Sequence, residues 1–510
     1  MRKPFRWLSF VFLVLFSSSL YADPYGAPFQ VDADSAFNTS FITSTGRNGD
    51  TMLLWQKDSS GGYYSYMQRY DVAGQMLQSQ KWYVGTRVNR GVVGSDGRFA
   101  LLSTESDGSG TGVYVAVYNR NGSVLVSKRR VNSSISGNQV AGGVAMNDNG
   151  QFAVVWLSSA TSGSQQSLYV KTYAANGAVA VGDMNVFTKT GSTEYFGATN
   201  VGLDGSGNFV VAWDFGDFVT LTWTEVYAQH FNAVGSAITS IQQVNVTTNG
   251  GQDSSRIAIN ENGDHVITWT MKTPEDTNYN AVYGQRFNAA GVRQGTETRF
   301  SNPEDGSVIE GHSMAMAPDG SFVLAWHSNS PPGGGILPQI LARGFHNNGQ
   351  VASDVFTVSQ ATNAFANRPG VGMDRDGHLF IGWAEDQYSS SPQRYVKGRR
   401  YSPIGTDFQS ISNGVPVTGL SGAAGSWQYF KVNVPAGDST LDVAIYGGTG
   451  DADVYVRYGA LPDLDSWDAR PYLNGNNETA RIYSIPPGDW YIGVRGYISY
   501  QGLSLQATSY

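Results

Sequence analysis

Few groups in this chain do chemistry unaided. It has no cysteine, which removes thiol nucleophiles, zinc thiolate sites and disulfides together. Its six histidines are His230, His265, His312, His327, His346 and His378, and none stands in an H-E-x-x-H signature. No G-x-S-x-G elbow or Walker phosphate loop is present. What remains is a set of polar residues spaced about a recurring turn. An [Asn/Asp]-Gly pair, taken as a two-residue hairpin turn, sets residues equidistant from it opposite one another. On that register His312 faces His327, Arg368 faces Glu385 and Asp253 faces Lys272. Opposed imidazoles could bind a metal, act as an acid–base pair, or be an ordinary polar rim pair. Arg368 with Glu385 reads first as a surface ion pair worth about 0–1 kcal/mol. A lyase would use His312 or His327 as base and Arg368 to neutralise a uronate carboxylate; a glycoside hydrolase would use two carboxylates, with Glu310 and Glu385 as candidates. The D-x-D-G stretch from Asp374 to Gly377 hints at calcium, but a plain hairpin turn accounts for it.

An internal repeat positions these residues. The turn glycine recurs at Gly49, Gly97, Gly150, Gly207, Gly263, Gly320 and Gly377, preceded by Asn, Asp or Ser. Six residues later stands Trp55, Trp156, Trp213, Trp269, Trp326 or Trp383, with Ser103 in the second unit. Between them lie strand-like runs such as Phe209-Val210-Val211-Ala212. An aromatic with glycine four residues on, from Tyr70/Gly74 to Tyr401/Gly405, marks the end of a third strand; a short fourth follows, as in Phe356-Thr357-Val358. Four antiparallel strands in about 50 residues leave apolar faces bare, and radial stacking covers both. The fold class expected is therefore all-β, a seven-bladed β-propeller over 23–406, with a linear β-solenoid as the competitor. The tryptophans are expected to pack between blades. Phe29-Gln30-Val31 fits the fourth-strand pattern but precedes the first unit. It is expected to pair into the seventh blade beside the strand ending at Tyr401, closing the ring.

The repeats resemble propeller-like arrays of large exported bacterial proteins, through Val211-Ala212-Trp213 and Gln285-Arg286-Phe287. That resemblance covers roughly 28–406 and implies architecture, not activity. Residues 407–510 follow another pattern: Gly447-Gly448-Thr449-Gly450-Asp451-Ala452-Asp453, Arg470-Pro471-Tyr472, Gly475-Asn476-Asn477-Glu478 and Pro487-Gly488-Asp489-Trp490-Tyr491. This segment resembles the bacterial pre-peptidase C-terminal domain, a small jelly-roll-like β-sandwich appended to exported proteins. The resemblance implies a link to secretion and adhesion to a polymer or cell surface. It also implies a cysteine pair, where this chain has Ala469 and Ala480, and in some relatives Ca²⁺, for which Asp451, Asp453, Asn476 and Glu478 are the oxygen donors. The same two aspartates could equally cap tight turns.

Composition bounds the partners. Charged residues are 15% of the chain, the net charge is −8, and glycine numbers 62. An acidic chain does not suit non-specific nucleic-acid binding. Arg2, Lys3 and Arg6 precede the apolar run Leu8–Phe16, and Ala22 is a plausible cleavage point, so 1–22 reads as a signal peptide. No other run reaches the about 18 apolar residues of a transmembrane helix. The function expected is a secreted, monomeric, non-catalytic recognition or adhesion protein, extracellular or periplasmic. It would bind a glycan or protein surface through the propeller's loop face, near His312, His327, Arg368, Glu385, Asp253 and Glu310. A polysaccharide lyase or hydrolase on the same scaffold is the alternative, and a purely structural module the third reading.

Overall fold

A computed structural model describes residues 24–510 apart from 35–40, 60–61, 73, 78–81, 87, 160–164, 190, 218–221, 273–279, 302–310, 329–337, 360–363, 388–393, 402–407, 460, 463 and 465–466. The expected signal peptide lies outside the described residues. Among them the chain is all β. Seven blades span 41–86, 88–130, 137–189, 194–243, 251–299, 312–357 and 364–401. Six chain-consecutive blades have four strands each, and the second and third are bridged in parallel at Gly137/Gly110 and Asn138/Thr111. The seventh blade draws its fourth strand from the other end of the chain. Pro24–Asp34 runs antiparallel to Arg394–Tyr401, with Phe29 opposite Gly398 and Gln30 opposite Lys397. The ring closes as the spacing predicts.

The turns differ from the expectation, with consequences for every facing pair. Gly46 N–H donates to Asp50 O and Gly49 N–H to Gly46 O, both at 2.9 Å, with Gly49 in the left-handed region (φ 80°). This is a three-residue loop ending in a glycine bulge, not a two-residue turn. The same bonding recurs at the other six turn glycines. The extra loop residue moves the pairing by one, so Met316 faces Phe322 and His312 faces Trp326.

Burial holds the ring together. All six repeat tryptophans are at most 1% exposed. Each sits among side chains of its own blade and the preceding one: Trp213 with Val155 and Val170, Trp269 with Val210 and Val226, Trp326 with Val266 and Val282. Trp55 continues the pattern across the closure, packing with Phe380 and Val396 of the seventh blade. A second aromatic layer lies beside the turns, where Phe99 stacks on Tyr118, Phe152 on Tyr173, Phe209 on Phe231 and Phe322 on Phe345. Second strands are flanked by a blade on each face, so Phe209 to Trp213 is buried without alternation.

Residues 408–509 form two further four-stranded sheets. They enclose one core that includes Phe430, Val443, Val454, Trp490, Ile492 and Leu505. The whole is a β-sandwich.

The closing strand gives the first prediction. Phe29 is half-buried, with its ring edge-on to Tyr70 of the first blade (5.3 Å) and Phe380 of the seventh (5.9 Å). Phe29→Ala should cost about 2 kcal/mol, below the range for a fully buried phenylalanine. A denaturant titration monitored by tryptophan fluorescence checks it; an unchanged midpoint would mean that the strand contributes no closure energy.

Candidate functional site

The first strand of each blade is innermost, so these strands wall an axial channel. Several carry a bulge beside the tryptophan. In the fifth blade pairing jumps from Asp253–Thr270 to Arg256–Thr268, and Ser254 takes a left-handed backbone (φ 59°). Asp214, which follows Trp213 and is 0% exposed, fixes this bulge. Its carboxylate accepts the Ser255 N–H (3.2 Å) and the Ala198 N–H (3.0 Å), tying the bulges of the fourth and fifth blades together. Burial raises Asp214 to about 6 despite those amides.

Arg256 projects from the bulge, its Nη1 donating to Ser255 O at 2.8 Å. Burial lowers its pKa, opposed by the charges of Asp214 and Asp253. Arg90 holds the equivalent position in the second blade, one residue beyond the bulge and opposite Leu102. Arg90 is open to water, yet desolvation by the walls and the charge of Arg256 bring its guanidinium down to about 10. The second and fifth blades are not neighbours, so the charge of Arg256 acts on Arg90 from across the axis. His312, from the sixth blade, hydrogen-bonds through Nε2 to Thr268 Oγ1 (2.9 Å). Its Nδ1 is buried without a hydrogen-bond partner among the described residues. Burial, reinforced by Arg256, pushes its pKa well down and keeps the ring neutral.

The turn end of the channel is different. Arg47 Nη1 donates to Met316 O at 2.5 Å, from the first blade to the sixth. The Asp148 N–H donates to Glu261 Oε1 at 3.2 Å, from the third blade to the fifth. Each contact spans the blade between, and the charges of Asp148 and Glu261 act on Arg47, so these groups converge at this end of the channel. Arg375 N–H donates to Arg47 O, Gly205 N–H to Glu261 O, and Ser95 Oγ to Asp148 O. Burial raises Asp148 and Glu261 and lowers Arg47. Between this knot and the arginine pair lies a cavity of about 260 Å³, walled by residues such as Val92, Val144, Val201, Ile257 and Met314.

The expected facing pairs do not form. His312 and His327 are offset by one residue, which turns them to opposite sheet faces. Both are 3% exposed, so they are not rim residues. Glu385 faces Ala366, not Arg368. It is buried, pairs with Lys397 at 2.6 Å and accepts from Trp383 Nε1. Arg368 is exposed in the bulge of the seventh blade, with φ 53°. Asp253 faces Thr270 and takes its hydroxyl at 2.5 Å; Lys272 faces Gly251. Glu310 lies outside the described residues. Of the predicted set, the structure brings Asp253 and His312 to Arg256. It adds Arg90, Arg256 and Asp214, which sequence spacing passed over. The available signal was position: Arg90 and Arg256 both stand opposite the residue before the tryptophan position.

Two other expectations concern metals. Asp374, Asp376 and His378 bring donor atoms within 4.8 Å of one another. However, Asp374 Oδ1 accepts the Asp376 and His378 N–H groups at 2.9 Å, as Asp204 does for Ser206 and Asn208, which is a hairpin-turn role. In the sandwich, Asp451 accepts from Gly475 N–H, and Asp453 from Arg470. Asn476 accepts from Ala452 N–H, and Glu478 from Val454 and Leu473 N–H. These four residues draw the loops together through their own hydrogen bonds. Ala480 and the partly buried Ala469 pack in the sandwich core.

A second histidine pair, not singled out by spacing, is buried between the fourth and fifth blades. His230 Nε2 and His265 Nε2 are 3.0 Å apart. His265 Nδ1 lies 2.9 Å from Gly263 O, an acceptor only, so Nδ1 carries the proton and Nε2 accepts. His230 therefore donates from Nε2 and accepts from Thr239 Oγ1 at Nδ1 (3.2 Å). His265 occupies the position that is phenylalanine in four other blades and stacks on Phe287 (5.2 Å, 7°).

Comparison with known proteins assigns residues 428–496 to the bacterial pre-peptidase C-terminal domain. The chain is 47% identical over 97 residues to alkaline serine exoprotease A of Vibrio alginolyticus, covering 19% of this chain and 18% of that protein. It is 39% identical over 104 residues to a zinc metalloprotease of Helicobacter pylori, covering 20% of this chain and 39% of that one. The chain thus spans well under half the length of these relatives. Among solved structures, the β-propeller domain of the Trilobed protease from Pyrococcus furiosus aligns with a TM-score of 0.43 at 6% identity, covering 74% of this chain and 97% of that one. No helix among the described residues is long and apolar enough to cross a membrane.

The buried histidines set an acid limit. Burial lowers His230 to about 3 and His265 to about 4 from 6.5. Below pH 6.5 the unfolded chain takes up protons that the folded chain refuses. Stability is therefore complete above that value and falls as pH drops toward the folded pKa values. At 1.36 kcal/mol per unit, His265 alone should cost about 3 kcal/mol by pH 4. Melting temperature measured from pH 8 to pH 4 should fall below pH 6.5, and His265→Phe should flatten the slope. An equal slope in the variant would locate the acid sensitivity elsewhere.

Proposed function

We propose that this chain is a secreted recognition protein whose propeller takes a carboxylate of an acidic glycan at Arg90 and Arg256. The observation that carries this reading is the meeting of two guanidiniums across the axis. Like charges repel, and a carboxylate between them would replace that repulsion with charge-assisted, bidentate hydrogen bonds. Net charge supports a slender ligand. The chain is acidic overall at −8, so a broad acidic protein surface would be repelled, whereas a glycan chain reaching into the channel meets the local cations. The signal-like segment 1–22 and the C-terminal domain at 428–496 support export, with the C-terminal domain aiding secretion or attachment.

One observation favours a catalytic alternative. His312, neutral and unpartnered at Nδ1, stands beside Arg256, the base-plus-cation set that elimination at a uronate needs. That nitrogen is buried, so binding without turnover is the expected outcome. Incubation with polyuronates should yield no absorbance from unsaturated ends; its appearance would establish the lyase reading.

Arg90→Gln is the decisive variant, because Arg90 is open to water and donates to the adjacent Asn89 carbonyl (2.9 Å). Calorimetry with oligogalacturonate should show binding weakened about tenfold or more in the variant, a loss of about 1.4 kcal/mol. Binding by the wild type should also weaken with added salt. Equal affinity in variant and wild type, with matched melting temperatures, would overturn the assignment.

A further inference from the structure

We infer that the channel receives the terminus of the glycan chain and not an internal stretch. The inference rests on the acidic-glycan reading and concerns how the ligand enters. A polymer threads a propeller only if the channel is open at both ends. Here the turn end is obstructed by linked groups: Arg47 bonds Met316 O and Asp148 N–H bonds Glu261, each across the blade between, and the charges of Asp148 and Glu261 act on Arg47.

The knot comes from one repeat position, two residues before the turn glycine. Around the ring this position holds Arg47, Ser95, Asp148, Gly205, Glu261, Pro318 and Arg375. Two cations and two anions cancel there, so the group tolerates burial that a single sign would not. The backbone comes close at Gly205: a Cβ would lie 2.5 Å from Oε2 of the flexible Glu261 side chain and 3.1 Å from its carbonyl oxygen, so a larger residue would push Glu261 aside. Arg47, Ser95, Asp148 and Glu261 of the knot themselves line the cavity of about 260 Å³. Arg90 and Arg256 lie on the same strands, on the side away from the knot. A chain that reaches them from the loop end meets the knot, so a terminal residue occupies the cavity and the arginines hold a carboxylate at its mouth.

The test is stoichiometry. Galacturonate oligomers and polymers of increasing length, up to chains long enough to seat several copies side by side, are titrated into the full-length protein by calorimetry. One protein per chain at every length is expected, with affinity per chain levelling off after the first few residues. Bulky groups coupled to both ends of an oligomer should weaken binding at least tenfold. Protein bound per chain rising in proportion to length, or full affinity for the end-blocked oligomer, would overturn end recognition while leaving the arginine site standing. No binding by any unblocked oligomer would instead overturn the acidic-glycan reading, and this inference with it.

Discussion

A four-stranded blade cannot shelter its own two faces, and everything else in the propeller follows from that. The second strand from Phe209 to Trp213 is apolar throughout, so it is stable only with a neighbour on each side. In six of the seven interfaces a buried tryptophan looks back to the preceding blade. A row of such interfaces has two bare ends. Closing it into a ring removes both, and the strand Pro24–Asp34 makes the closure a matter of backbone pairing as well as burial. Ser103 is the single departure from tryptophan. There the interface is filled by Met52, Leu54, Met67 and Leu101 instead.

Ring closure also decides which residues meet without being near in sequence or in adjacent blades. Across the axis the same geometry is used twice, with opposite charge logic. At the turn end both signs are present and the groups satisfy one another. At the level of Arg90 and Arg256 two cations face each other, and the carboxylates acting on Arg256 are engaged, Asp214 with backbone amides and Asp253 with the Thr270 hydroxyl. Asp214 remains unusual in its own right. A carboxyl raised to about 6 is held in place because it is the acceptor for two bulges, so its loss would leave buried N–H groups unmatched.

The C-terminal sandwich solves stability in a different way. Its core is continuous, and its long loops are pinned by Asp451, Asn476 and Glu478 accepting backbone amides across 24 positions of sequence or fewer. Arg470 adds to this, lying over Tyr455 and Tyr472 while reaching Asp453.

Blade number, the closing strand, the interblade role of the tryptophans and the sandwich were legible in the sequence, because they depend on periodicity and apolar pattern. Facing pairs were not. A glycine bulge adds one residue to a loop without altering the Asn-Gly or Asp-Gly signature, and one residue is enough to turn His312 away from His327. His230 with His265, Arg90 with Arg256, and Arg47 with Asp148 and Glu261 lie dozens to hundreds of positions apart, and no local pattern joins them. Which residues repeat and which must be buried can be read along the chain, since hydrophobic periodicity is a local property. Which charges share the axis cannot, since that depends on the angle at which each blade packs on the last and on the ring those angles close.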